Sequence, residues 1–289
     1  MQIIANGVVA GLTIALMALA FTIVYLPTRV FFVALGGLYT LIPFIARSCL
    51  DAGFPWPVVL VTCVSMGMAL SIGCEIVNHG PLDRKKGSST AHLVSSLGLY
   101  IIFVQAVALI WGNESKVLRT GLDSVVHVGA VVLTRVQIIA GCGSIVLVAS
   151  FFLWLKFSDL GLRFRALADN PVEMALRGHN TSRLRIISFG LAGGFASAVA
   201  MMIAFDIGFD TNGGLSALLL AVVAMIIGGR RSFLGPVIAG VALGILRSGT
   251  VWYVSARTQD AVTFSLAALF LVFFPDGLFG KKDRLEASA

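Results

Sequence analysis

Charge is what this 289-residue sequence has least of: 21 Lys and Arg with 14 Asp and Glu make only 12% of it. That is about half the roughly 25% of ordinary globular chains. A soluble domain of this length needs more charged surface, so the shortage excludes an ordinary cytosolic enzyme, a disordered chain and a nucleic-acid-binding domain. Cysteine is scarce too. Cys49, Cys63, Cys74 and Cys142 lie in or beside apolar runs, with no CxxC and no nearby His pair. They read as small buried hydrophobes, neither disulfides nor metal ligands. No GxxxxGK[ST] phosphate loop occurs, which excludes ATP binding and hydrolysis in the usual way on this chain. His79, His92, His127 and His179 fall in loops or at span ends without metal-ligand spacing, and no GxSxG nucleophile motif stands in a plausible context. No catalytic residue, metal or cofactor is therefore expected. Acidic groups are rare in mid-membrane: Glu75 reads as a carboxylate reaching the headgroup region beside Arg84 or Lys85, and Asp206 and Asp210 sit near the outer end of the sixth apolar run. That is a thin basis for ion-driven transport, which relies on buried ionisable groups.

What the chain has in abundance is apolar length. It is 58% apolar, with a mean hydropathy of +0.96. Apolar runs fall at 3–25, 30–47, 55–78, 91–112, 136–156, 186–207, 213–229, 233–249 and 258–275. Runs of this kind, crossing about 30 Å of hydrocarbon, predict an all-α polytopic membrane protein with roughly eight to ten transmembrane helices. The first run, Ile3 to Tyr25, is too long for a signal core and lacks a basic region before it, so it reads as a retained span. Basic residues cluster at Arg84-Lys85-Lys86, in the loop holding Lys156, Arg163, Arg165, Arg177, Arg183 and Arg185, and in the tail with Lys281, Lys282 and Arg284. Placing all three inside also puts Arg29, Arg230 and Arg231 there, and leaves Arg47, Lys116, Arg119, Arg135, Arg247 and Arg257 outside. The excess of Lys and Arg on one side predicts N-out, C-in. Residues 1–289 then form a single transmembrane domain with a cytoplasmic loop at 157–185 and a cytoplasmic tail at 276–289.

Two regions interrupt the pattern. The 30–47 run contains Gly36, Gly37 and Pro43, and the 213–249 region is broken at Gly228-Gly229-Arg230-Arg231 and Gly235-Pro236. Each break follows a glycine-containing span, so broken or re-entrant segments and an internal repeat around a central pathway are expected; close helix packing through small residues is the other reading of the same glycines. In the outer loop, Ser124-Val125-Val126-His127-Val128 has the look of a short strand.

The 157–185 loop carries the most specific local signals. Asn170 is a good N-cap, Pro171 suits the first helical position, Glu173 stands where its carboxylate can reach back to the cap, and Gly178 is placed to end the helix in a left-handed conformation. These bounds predict a helix of about two turns, too short to persist in water unless it lies against something. Met174, Leu176 and Arg177 would supply an adaptable apolar surface with one charge, and Thr181 or Ser182 would cap the next span. A lipid-interface helix is the alternative, favoured by the nearby arginines.

At these residues the chain resembles the permease subunit of branched-chain (hydrophobic) amino-acid ABC importers. The likeness runs nearly the full length. It rests on Gly161-Leu162-Arg163-Phe164-Arg165-Ala166, Asn170-Pro171 and Glu173 through Gly178, on Gly228-Gly229 with Gly235-Pro236 and Gly240, and on the closing run Phe273 to Gly280. Pro81-Leu82 and Ser95-Ser96-Leu97-Gly98 fit the family's middle. The resemblance implies a bacterial inner-membrane complex of two permeases, identical or not, two cytoplasmic ATPases that hold ATP and Mg, and a periplasmic substrate-binding protein. It also implies that Asn170, Pro171, Glu173, Met174, Ala175, Leu176, Arg177 and Gly178 form the coupling helix. Where the family usually reads close to Asn-Phe-Ala-His-Gly-Glu, this chain has Phe32-Val33-Ala34-Leu35-Gly36-Gly37, so a more apolar pathway is expected. The solute would be a branched-chain or hydrophobic amino acid, or a related small organic acid or amide. Phe32, Leu35, Ser95, Ser96, Asn212 and Gly213 are the expected pathway residues, with the Gly213-Gly214 break offering backbone groups to a solute carboxylate if a half-helix points inward. An ion-coupled secondary carrier acting without an ATPase is the rival function.

Overall fold

The computed structural model describes residues 1–119, 125–128, 131–229, 232–253, 255, 258–274 and 277–278. Each apolar run becomes a helix: α1 (Gln2–Thr28), α2 (Ala34–Asp51), α3 (Trp56–Cys74), α5 (Ser89–Trp111), α6 (Arg135–Phe157), α9 (Thr181–Asp206), α10 (Gly213–Gly228), α11 (Leu234–Tyr253) and α12 (Gln259–Phe273). Between them lie a π-helical turn at Glu75–His79, then α4 (Gly80–Arg84), α7 (Asp159–Asp169) and α8 (Pro171–Leu176). Among the described residues, six helices are long and apolar enough to cross a membrane, α3 doing so with its extension to Arg84, and α10 and α12 are shorter apolar helices. The strand-like stretch is a strand with a partner the sequence reading did not name: Val125–Val128 (β1) runs antiparallel to Val131–Thr134 (β2), with Ser124 outside the described residues. Arg230, Arg231, Arg257 and the tail 276–289, apart from Gly277 and Leu278, also lie outside them.

The first helix is the axis of the bundle. Every residue from Ala15 to Val24 is buried, because α1 packs against α6, α9, α10 and α11 together. A helix apolar on all sides has no polar face to show, so the centre of a bundle suits it. Its crossing with α11 is backbone to backbone: a β-carbon on Gly244 would collide with Cα of Gly11, the small-residue contact that brings membrane helices close. In contrast α3, α5 and α6 turn Leu60, Val61, Ile102, Leu109, Ile110 and Val146 outward, a belt of apolar surface suited to hydrocarbon.

The connections gather at two ends. Residues 75–89 and 157–185 meet at one, which carries most of the described basic residues, and Leu278 folds back there to donate its N–H to Ile227 O. At the other end Gln2 bonds Val132, Trp111 bonds Ser48 and Arg47 reaches Val117. The pattern of a long helix followed by a short one occurs twice, as α1–α2 and α9–α10. Cys63 and Cys74 are buried, whereas Cys142 is exposed on α6; all four are free.

Candidate functional site

Three features of the described residues combine polar chemistry with a defined shape, two at the basic end and one at the opposite end. The outermost is the 157–185 loop. Ser158 ends α6, and Gly161 lets α7 turn back against Trp154 and Leu155, where a β-carbon would clash with the backbone. Phe164 is then fully buried against Trp154 and Phe233. α8 begins at Asn170, whose side chain accepts from Glu173 N at 3.1 Å. It ends at Gly178, with φ of +80° and bonds from Gly178 N to Ala175 O and from His179 N to Met174 O. The helix is six residues long, close to the two turns expected. Two local contacts differ. Glu173 turns to Arg177 at 2.5 Å instead of back to the cap, since the Asn170 N–H is already taken by Ala166 O. Asn180, not Thr181 or Ser182, caps α9.

Underneath, Met174 is buried with Leu167 and Leu184. It seats α8 on α7 and α9, so the outward face is made by Glu173, Ala175, Leu176, Arg177 and Gly178, with Leu176 84% exposed. Replacing the cap by Asn170→Ala should cost about 1 kcal/mol of local stability. Limited proteolysis within 170–178 would show it as faster cleavage with unchanged cleavage elsewhere.

The second feature lies at the root of this loop. Pro81 has no N–H to continue the ladder, so the preceding turn widens, and Gly80 N reaches back to Glu75 O. The widened turn aims Glu75, Asn78 and His79 inward. Glu75 is 4% exposed and receives Arg185 Nε at 2.7 Å, while Arg185 Nη1 stands 3.0 Å from Asp83. The headgroup position beside Arg84 or Lys85 expected for Glu75 is thus replaced by a buried ion pair that ties α3 to the start of α9. His79 and His92, distant in sequence, stack with Nδ1 atoms 3.3 Å apart; one donates and the other accepts. Phe32 and Phe189 pack on His79, and Ser95 donates to Asn78 Oδ1 at 2.5 Å. His79 Nε2 and Asn78 Nδ2 are buried without a partner among the described residues.

The third feature is a cavity of about 300 Å³ at the opposite end. Its walls include Tyr39 and Thr40 of α2, Ala204 of α9, Lys116 and Asp210 of the adjoining loops, and Gly213 at the start of α10. The loops are held by an isolated bridge between Lys116 and Phe209. Asp210 Oδ1 accepts from Asn212 N and Gly213 N at 3.1 and 2.6 Å, closing the N-terminus of α10. The Gly213 N–H is therefore engaged by a carboxylate of the chain itself and is not offered to a solute carboxylate. A larger groove of about 870 Å³ between α3, α6 and α9 is almost wholly apolar, walled by Leu60, Val64, Met68, Leu147, Phe195 and Phe205.

The six expected pathway residues separate into two groups. Phe32, Ser95 and Ser96 meet at the histidine cluster, where Ser96 Oγ accepts from Ala34 N at 3.0 Å and anchors the start of α2; Leu35 is buried beside them on α2. Gly213 lines the far cavity, whereas Asn212 does not and only donates its N–H to Asp210 Oδ1 beside it. Sequence reasoning missed Asn78, His79, His92 and Arg185 in the first group, although His-Gly-Pro at 79–81 signals a disturbed helix. It missed Tyr39 and gave Asp210 no role in the second, although Asp210 three residues before Gly213 has capping spacing.

A profile described as "Branched-chain amino acid transport system / permease component" matches residues 3–273. The chain is 26% identical over 296 residues to the "High-affinity branched-chain amino acid transport system permease protein BraD" of Pseudomonas aeruginosa, covering 98% of this chain and 96% of that protein. It is 25% identical over 295 residues to the corresponding LivH protein of Escherichia coli K12, covering 96% and 94%. The "Autoinducer 2 import system permease protein LsrC" of Escherichia coli is 28% identical over 233 residues, covering 79% and 64%. Among solved structures, PsaBC from Streptococcus pneumoniae in complex with Fab superposes with a TM-score of 0.51 at 11% identity, over 94% of this chain and 91% of that one; this likeness concerns the fold alone.

Proposed function

The chain belongs to the family of branched-chain amino-acid transport permease components, and on that premise we propose that it is the membrane subunit of an ATP-binding-cassette importer in a bacterial inner membrane. It passes a small amphipathic organic solute by alternating access, with two ATPases on the cytoplasmic side, a second permease beside it and a periplasmic binding protein above. The solute is a branched-chain or hydrophobic amino acid or a related small acid or amide, a reading supported by the branched-chain amino-acid transport named for the BraD and LivH relatives.

The observation that carries this reading is α8. It has a start and a stop written in sequence, a buried foot in Met174, and an outward face of Leu176, Glu173 and Arg177 that nothing else in the chain covers among the described residues. An exposed leucine between paired charges is the surface expected of a helix seated in another protein's groove. Its root is the Glu75–Arg185 pair, so a push on α8 acts through α9 on α3. With no phosphate loop of its own, the chain takes its work from the ATPases, and ATP with Mg belongs to them.

The test is Leu176→Asp together with Glu173→Ala. The importer should lose uptake by at least about tenfold, the effect of roughly 1.4 kcal/mol in a docking contact, while the chain still inserts. ATPase subunits should co-purify with wild type and much less with the variants. Wild-type uptake and ATP hydrolysis in both would overturn the docking role, and uptake by the purified chain alone, driven by a proton gradient, would favour a secondary carrier.

A further inference from the structure

We propose that the cavity beside Tyr39 and Asp210 is a subsite for the protonated amino group of a small zwitterionic solute. This deepens the importer reading and rests on it for the site's place on the outer side of the membrane.

The chemistry follows from what each wall offers. Asp210 uses one carboxylate oxygen, Oδ1, to hold two backbone N–H groups. Its other oxygen makes no hydrogen bond among the described residues. A carboxylate in a confined site needs its remaining lone pairs satisfied, and a cationic N–H donor satisfies them most strongly. The nearby basic side chain does not do so: Lys116 Nζ donates to Trp111 O at 3.0 Å and lies 5.7 Å from the centroid of the Phe44 ring. Tyr39 is 7% exposed, lines the same cavity, and its hydroxyl has no hydrogen-bond partner among the described residues. A buried phenol normally finds one. An acceptor carboxylate and a free hydroxyl thus share a pocket at the small end of the range for ligand sites, roughly 300–1,000 Å³. Ala200, Ile203 and Ala204 complete it with apolar surface, suited to the body of a short side chain. Because Asp210 neutralises the start of α10, this pocket selects an ammonium and disfavours an anion, the reverse of an uncapped half-helix.

The probes are L-leucine, isopentylamine, which lacks the carboxylate, and 4-methylpentanoate, which lacks the amine. They are added to the chain in lipid nanodiscs with whatever ATPase subunits co-purify, without binding protein, and affinity is read by thermal shift. Leucine and isopentylamine should bind and 4-methylpentanoate should not. Asp210→Asn keeps an oxygen for the cap but removes the charge, and should weaken both amines about tenfold; Tyr39→Phe should weaken them about threefold. Should Asp210→Asn fail to fold, Tyr39→Phe carries the comparison. Asp51→Asn, an exposed residue paired with Arg47, should change nothing. Equal binding of 4-methylpentanoate and leucine, wild-type affinity in both cavity variants, or the same stabilisation by sodium chloride alone would overturn the subsite. If ATPases co-purify but both variants bind normally, the importer reading survives and the subsite falls. If leucine binding depends on Asp210 but no ATPase co-purifies, the subsite stands and the importer reading falls.

Discussion

Arg185→Met should destabilise the folded chain by about 3–5 kcal/mol, the usual cost of leaving a buried charge without its partner. Glu75 and Arg185 side chains are only 5% and 12% exposed, with 2.7 Å between Oε1 and Nε. The other anion near Arg185, Asp83, is 57% exposed and can return to solvent at little cost. Glu75 cannot, because the π-helical turn aims it between α3 and α9. The double variant Glu75→Leu with Arg185→Met removes both charges and should recover all but about 1 kcal/mol of the loss. Reversible unfolding of the chain in detergent, followed by helical circular dichroism, measures both. A single variant within about 0.5 kcal/mol of wild type would show that this pair is effectively solvated. Uptake adds a separate reading: a double variant that folds but no longer transports would place the pair in the coupling path between α8 and the spans.

Gly244→Leu should abolish the folded state, with a cost above about 4 kcal/mol. The added side chain would meet the backbone of α1, at Cα and N of Gly11 and the Gly7 carbonyl, and no rotamer relieves a clash that begins at the β-carbon. The crossing of α1 with α11 is the most extensive helix pair among the described residues, and α1 is the buried axis, so the strain cannot be passed to lipid. Gly98→Leu is the matched control: a β-carbon there meets nothing within 4 Å, and the change should stay within about 0.5 kcal/mol. Yield of monodisperse protein and its melting temperature decide between them. Normal folding of Gly244→Leu would mean that α1 does not lie against α11 in this way.

The far cavity and the histidine cluster illustrate how far sequence reading extends. Asp210 and Gly213 are local, and their capping relation follows from spacing. Tyr39 joins them only because α2 packs on α10, where a β-carbon at Gly36 would press on Gly214 O. His79 and His92 are thirteen residues apart on different helices, and neither has a partner in its own turn. Their meeting depends on the turn that Pro81 widens and on how closely α5 approaches it, which no periodicity encodes. Glu75 misled for the same reason: a carboxylate near a span end usually reaches water, and only the incoming Arg185 makes its burial tolerable.

By itself the sequence determined that the chain is helical and lives in a bilayer, roughly which runs become helices, and that residues 170–178 form a bounded element. These follow from hydrogen-bond satisfaction in hydrocarbon and from capping, both of which act over a few residues. The tertiary structure decided which helix became the axis, that Met174 faces inward while Leu176 faces out, and which polar groups share a site. Such choices rest on contacts between segments far apart in the chain, where small residues set how near two backbones come and each buried charge must find its counterpart on another helix.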